Sequence, residues 1–274
     1  MSIKLSVIIP VYNSEKYIKR AIVSYLKQEN FNTELIIIDD CSYDRTSMIC
    51  NQLLNQHPSI KYFKLTYKKG VSYARNKGIE LSKGEYILFL DADDILGDKI
   101  IDRILIDIQD SKTDILLTGY EIREKKNTFY YPQNNDFDNK KSFLQSMYKY
   151  DSNRSIRFGT IWAKIYKKKV ITTLFDVSLN YAEDTIFNIY FFNNVKYIKI
   201  DSFISYIHID CNPSSLSKQY QNNYIELLNL VFNLYCELFR SESINLDDPF
   251  ILNKKRQMNI LIKNYEKTNI KGDN

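Results

Sequence analysis

The sequence predicts an α/β fold: a mostly parallel sheet with flanking helices, followed by a C-terminal helical extension. Three observations predict it. Short apolar runs alternate with amphipathic segments as strand, helix, strand, helix, strand, helix, strand over residues 5–90, the rhythm of a parallel sheet with crossover helices. The first, second and fourth runs contain no charged residue, as strands covered on both faces require. Acids follow the second and fourth runs directly, and open α/β sheets bind ligands at the carboxyl ends of their strands.

Residues 5–9 form the first predicted strand, ending at Pro10-Val11-Tyr12-Asn13. Asn13 or Ser14 can cap the next helix, on which Ile18, Ala21, Ile22, Tyr25 and Leu26 repeat at the spacing of one buried face. Residues 35–38 are the second strand and run into Asp39-Asp40; Ser42 and Asp44 supply capping chemistry for a helix over 45–55. A third strand over 60–65 precedes Gly70 and a helix to Leu81. The fourth, 86–90, leads straight into Asp91-Ala92-Asp93-Asp94 and a helix beginning near Gly97.

After Asp110 the pattern changes. Strands are expected over 114–124 and 128–131, a short helix over 140–148, and a helix over 184–192. Residues 157–171 hold the only tryptophan, Trp162. Strand material over 195–209 is followed by a strongly apolar helix over 220–239, a linker over 241–249 and a basic tail.

Bulk properties narrow the function classes. The length of 274 residues allows one large domain or a main domain with an appendage. No apolar run approaches a bilayer span, and Met1-Ser2-Ile3-Lys4 lacks the core of a signal peptide, so a cytoplasmic location is expected. Four scattered cysteines and two histidines argue against a zinc site and for free thiols. Nearly all of the net charge of +5 lies in residues 251–274, where six Lys or Arg face Glu266 and Asp273. The near-neutral remainder argues against a nucleic-acid surface. In the tail, Ile251, Leu252, Ile260, Leu261 and Ile262 alternate with Lys254, Lys255, Arg256 and Lys263. Such a segment can lie on an anionic membrane, each cation contributing about 1 kcal/mol; a solvated final helix or a dimer contact is the alternative.

Asp91, Asp93 and Asp94 at one strand end repel one another unless a cation sits among them. An oxygen-only donor set suits Mg²⁺ or Mn²⁺ shared with substrate phosphates. The plain alternative is a solvated acidic turn.

These pieces together resemble the family 2 glycosyltransferases. The matching stretches are Ser6-Val7-Ile8-Ile9-Pro10-Val11-Tyr12-Asn13, residues 35–42 with Asp44, residues 70–78, Leu90-Asp91-Ala92-Asp93-Asp94, and Glu183-Asp184 followed by Phe187. The resemblance covers roughly residues 3–217. It implies the GT-A fold, Rossmann-like in its sheet, with residues 1–124 as a nucleotide-sugar-binding half and 125–217 as an acceptor-binding half. Residues 218–274 are then the basic helical extension.

The resemblance also implies roles. Tyr12 stacks on a uracil ring and Asp40 accepts its N–H, with Pro10 close by and Arg75 reaching the donor diphosphate or base. Asp93 is the direct ligand of Mn²⁺ or Mg²⁺, Asp91 touches the ribose or the metal's water, and Asp94 supports the turn and the sugar. Asp184 is the general base of an inverting transfer from a UDP-sugar to a glycan or lipid-linked saccharide, with Glu183 orienting the sugar. Trp162 offers a stacking platform, and His208 is a third metal ligand or phosphate donor.

Two departures stand out. Trp162-Ala163-Lys164-Ile165-Tyr166 has Ala163 where the family often carries asparagine. The approach to residues 211–217 offers His208 and Lys218 where the family commonly has an arginine. Two other readings stay open. A sugar-1-phosphate nucleotidyltransferase would need a glycine-rich loop where Pro10-Val11-Tyr12-Asn13 stands. A non-catalytic partner subunit would not need Asp93 and Asp184.

Overall fold

Runs without an exposed position build the centre of the sheet: β1 (Leu5–Val11) and β2 (Thr33–Asp39) are buried at every residue. The computed structural model describes residues 3–55, 57, 59–209 and 223–270, with side chains to 265. Around that centre lie α1 (Ile18–Leu26), α2 (Thr46–Leu54), β3 (Ile60–Lys64), α3 (Val71–Leu81), β4 (Tyr86–Phe89), β5 (Ile95–Leu96), α4 (Ile100–Asp107) and β6 (Ile115–Arg123). The second half adds β7 (Thr128–Tyr130), β8 (Asn135–Phe137), α5 (Lys140–Ser152), β9 (Lys164–Lys167), α6 (Glu183–Asn193), β10 (Ile198–Ile209), α7 (Tyr224–Ser241) and α8 (Pro249–Ile270).

The main sheet runs β3-β2-β1-β4-β9-β6-β10-β5, with β7 on β6 and β8 on β10. Pairings from β3 to β4 are parallel; β9 is antiparallel to both β4 and β6 and joins the two halves. Strand alternation splits the apolar residues into two cores. Val7 and Ile9 face one with α1 and α4, and Ile8 faces the other with α3, α5 and α6. At Gly78 a Cβ would drive into Ile8, so α3 lies directly on β1.

Several boundaries differ from expectation. Pro10 lies inside β1, opposite Ile38. Its missing N–H costs little there, because pairing with β4 ends at Ile8. Neither Asn13 nor Ser14 caps α1 through its side chain: Asn13 Oδ1 accepts the Tyr43 amide, and Ser14 Oγ donates to the Tyr12 carbonyl. β9 falls in the stretch read only for its tryptophan, its strand character hidden by Lys164 and Lys167, both buried. The short strands β5 and β8 were not expected either.

The expected linker stays non-helical over 242–248, and the basic tail becomes α8, which starts with proline at its first helical position, where no intrahelical N–H is required. Phe250 and Ile251 are buried against Phe158, Tyr235 and Phe239, and each fully buried side chain contributes about 1.5–3 kcal/mol. Ile251 therefore belongs to the core and not to a membrane-facing stripe, and Lys254 is paired with Asp151 at 2.8 Å. Among the described residues no helix is long and apolar enough to cross a membrane.

Candidate active site

The site forms where β1, β2 and β4 end beside the N-terminus of α6. Arg75 is its centre. On α3, Arg75, Gly78 and Ile79 share the buried face, so the guanidinium is carried under the strand ends and is only 4% exposed. Nη1 donates to Asp184 Oδ1 at 2.7 Å and to Glu183 Oε1 at 3.1 Å, and Nη2 donates to Asp91 Oδ1 at 3.2 Å. The arginine read from sequence as a donor contact thus ties the fourth-strand acids to the acidic start of α6.

Burial pushes the Asp184 carboxyl up to about 8; Arg75 opposes the rise, while Glu183 and Asp91 add to it. Asp184 keeps 21% of its side chain exposed. Three carboxylates on one guanidinium leave an excess of negative charge.

Asp94 has a different setting. It is 1% exposed. Tyr206 donates its hydroxyl to Oδ2 at 2.6 Å, the Ile209 amide donates to Oδ1 at 2.8 Å, and His208 Nδ1 lies 3.1 Å from both oxygens. The Tyr206 hydroxyl also accepts the Asp91 amide at 3.2 Å, fixing the turn from both ends. Burial raises the Asp94 carboxyl, and the bond to Asp94 raises the His208 imidazole. Asp94 is taken up by β10, which fits support of the turn and leaves little of it to meet a sugar.

Trp162 lies in the same aromatic column, stacked on Tyr206 (5.3 Å, 18°) and His208 (5.9 Å, 4°) and only 8% exposed. Its rings are covered by protein, so it backs the Asp94 network and does not present an open sugar platform.

At the end of β2, Asp40 is buried and accepts the amides of Lys69 (2.6 Å) and Gly70 (2.8 Å), holding the loop before α3. Gly70 has φ +91°, which glycine adopts at no steric cost. Tyr12 meets Tyr43 edge to face at 6.1 Å, and Lys68 Nζ lies 3.9 Å over its ring. Pro10 is buried in β1 beneath this corner. Lys68 was missed from sequence, since one lysine in Lys68-Lys69 carries no pattern.

Lys164 was missed as well. It is 2% exposed and donates to the carbonyls of Arg157 (2.6 Å) and Thr160 (2.5 Å), while burial lowers its pKa to about 7. Asn188 and Thr185 of α6 bind the neighbouring carbonyls of Phe158, Gly159 and Thr160. Residues 157–160 are thereby fastened to the helix that begins with Glu183 and Asp184.

Two alanines flank these elements in left-handed backbone, Ala163 (φ +57°) and Ala182 (φ +62°). Asparagine tolerates that conformation better than alanine. The asparagine often found at the position of Ala163 thus has a backbone reason besides any substrate contact.

Asp93 and His208 were expected to share a metal. The His208 Nδ1 faces Asp94, and the Asp93 carbonyl accepts from Arg20. Among the described residues no three His, Cys, Asp or Glu groups gather into a metal cluster. Asp91 and Asp93 remain partly exposed oxygen donors on one turn, a set that suits a hard cation completing its shell with substrate phosphate oxygens. Residues 211–217 and Lys218 lie outside the described residues.

A parallel nucleotide-type half, a second half joined through antiparallel β9, and acids at the strand ends define a GT-A fold. The chain belongs to glycosyl transferase family 2, whose family model matches residues 6–175. It is 32% identical over 139 residues to the glycosyltransferase GlyG of Streptococcus pneumoniae serotype 4, covering 50% of this chain and 46% of that protein. It is 28% identical over 249 residues to the poly(ribitol-phosphate) beta-N-acetylglucosaminyltransferase TarP of Staphylococcus aureus, covering 84% and 71%. The crystal structure of S. aureus TarS 1-349 in complex with UDP-GlcNAc shares the fold, with a TM-score of 0.70 at 24% identity over 84% of this chain and 66% of that one. The chain spans about half the length of GlyG.

Proposed function

We propose that this chain is an inverting glycosyltransferase that moves a sugar from a UDP-sugar to a hydroxyl of a cell-surface saccharide. The observation that carries the proposal is the Arg75 fork, which sets Asp91 of the strand-end turn beside Asp184 of α6. A family 2 sequence, a relative named for N-acetylglucosaminyl transfer and a structural neighbour holding UDP-GlcNAc favour an N-acetylhexosamine donor.

The acceptor hydroxyl attacks the anomeric carbon, the bond from that carbon to the diphosphate oxygen breaks, and configuration inverts. Asp184 takes the hydroxyl proton. Its Oδ1 is bonded to Arg75, so Oδ2 is the oxygen that receives it. A raised pKa makes Asp184 a stronger base once ionised. Glu183 shares the fork and orients the α6 end of the site. Tyr12 and Asp40 border the base, with Lys68 displaced from the Tyr12 ring as the uracil arrives. A divalent cation on Asp91 and Asp93, when bound, neutralises the charge that grows on the departing diphosphate.

Calorimetric titration of UDP with and without Mn²⁺, on wild type and Asp93→Ala, tests the donor half. Binding that needs both the metal and Asp93 supports the proposal. Absence of nucleotide binding under all conditions would turn the chain into a partner subunit.

A further inference from the structure

A groove lies at the start of α4, beside β6, β7 and β10. Its cavity of about 550 Å³ is lined by Asp98, Lys99 and Arg103 at the start of α4, Glu121 and Arg123 on β6, Phe129 and Tyr131 at β7, and Phe203 on β10. That volume falls in the range of small-molecule sites, roughly 300–1,000 Å³.

Alternation along β7 explains the aromatic floor. Tyr130 turns inward and stacks on Tyr120 at 4.6 Å, and Phe129 and Tyr131 turn outward. These two rings are 51% and 58% exposed yet nearly parallel, at 12° and 6.3 Å. Exposed aromatics aligned in this way serve no core. The rim is polar and held in place: Arg123 forks onto Glu121 (2.8 and 3.1 Å), and Arg103 forks onto Asp201 (3.0 and 2.6 Å) while lying over Phe203.

We infer that this groove binds a saccharide, as a subsite for the part of the acceptor chain remote from the reacting hydroxyl. A sugar ring has an apolar C–H face and a hydroxyl edge, matching flat aromatic rings beside the half-exposed guanidinium groups of Arg103 and Arg123, which the buried Asp201 and Glu121 hold in place. An anionic lipid surface would call for unpaired cations, and the two guanidinium groups here are each paired with an acid. The groove also adjoins the acidic turn along the chain. β5 follows Asp94 directly, Ile207 of the lining precedes His208, and Gly97 donates to the Ser205 carbonyl at 2.9 Å. The inference rests on the glycosyltransferase reading above.

An array of bacterial surface-polysaccharide fragments, probed with wild type and the double variant Phe129→Ala, Tyr131→Ala, tests it. Both side chains are exposed, so the variant keeps its core, and its UDP titration serves as the control. Wild type should retain a subset of saccharides that the variant binds about tenfold more weakly, with UDP affinity unchanged in both. Equal retention by both proteins, or no retention by a wild type that binds UDP, would overturn the subsite and leave the donor reading intact. Self-association of wild type that is lost in the variant, without any change on the array, would assign the face to a second copy of the chain. Loss of UDP binding by wild type would instead remove the reading on which the inference rests.

Discussion

Asp91 and Asp94 belong to one turn and are held in opposite ways. Asp91 shares a single guanidinium with Glu183 and Asp184, is 30% exposed, and stands in a knot with more carboxylates than cations. Asp94 is enclosed, and its two oxygens meet a hydroxyl, an amide and an imidazole from one strand. The first arrangement leaves charge for a ligand to complete. The second is closed and works as a peg. Identity of residue and nearness in sequence therefore say little about role; the partner elements decide it.

The largest effect is expected at Arg75. Arg75→Ala strands carboxylates around an empty position, and breaking such a buried pair costs about 3–5 kcal/mol. Urea unfolding should show that loss, and Arg75→Lys should restore only part of it because one ammonium cannot reproduce the fork. Next comes the contrast within the turn. Asp94→Asn turns an amide group toward donors and should cost about 1–3 kcal/mol. Asp91→Asn, partly solvated, should change stability by less than about 1 kcal/mol. Equal losses at the two positions would erase the distinction between knot and peg.

Smaller effects follow from titration and backbone. Pairing with Asp94 raises the folded-state pKa of His208. Its contribution to stability is then complete below the unfolded histidine value, about 6.5, and is lost as pH rises through the folded value. His208→Gln should flatten that part of a stability-against-pH curve. At Ala163, with φ +57°, glycine relieves left-handed strain, and Ala163→Gly should raise stability by about 1 kcal/mol or less.

Much of the first half was legible because burial on both faces leaves a clear mark. β1, β4 and the centre of β2 appear as uncharged runs, and the acids after the second and fourth runs pointed to the ligand edge. The Arg75 fork was less legible. Spacing places Arg75 with Gly78 and Ile79 on a buried face, but nothing local says that its partners lie at 183 and 184. β9 was hidden because Lys164 and Lys167 are buried on backbone carbonyls, those of Arg157 and Thr160 just before the strand and that of Ser111 far from it, and composition alone reads them as surface. The stacking of Trp162 on Tyr206 and His208 was not legible either, since Tyr206 becomes a partner only once β10 is in register with β6.

The most direct test of the account is the rate of UDP release from UDP-GlcNAc, with the surface-saccharide fragments retained on the array as acceptors, for wild type and Asp184→Asn across pH 5 to 9. The wild-type rate should rise with pH toward a plateau above about 8, as Asp184 loses its proton. Asp184→Asn should lower the rate by about 10²–10⁴ at unchanged UDP affinity and remove the rise. A variant that releases UDP as fast as wild type, with the same pH profile, would contradict the assignment of Asp184 as the base.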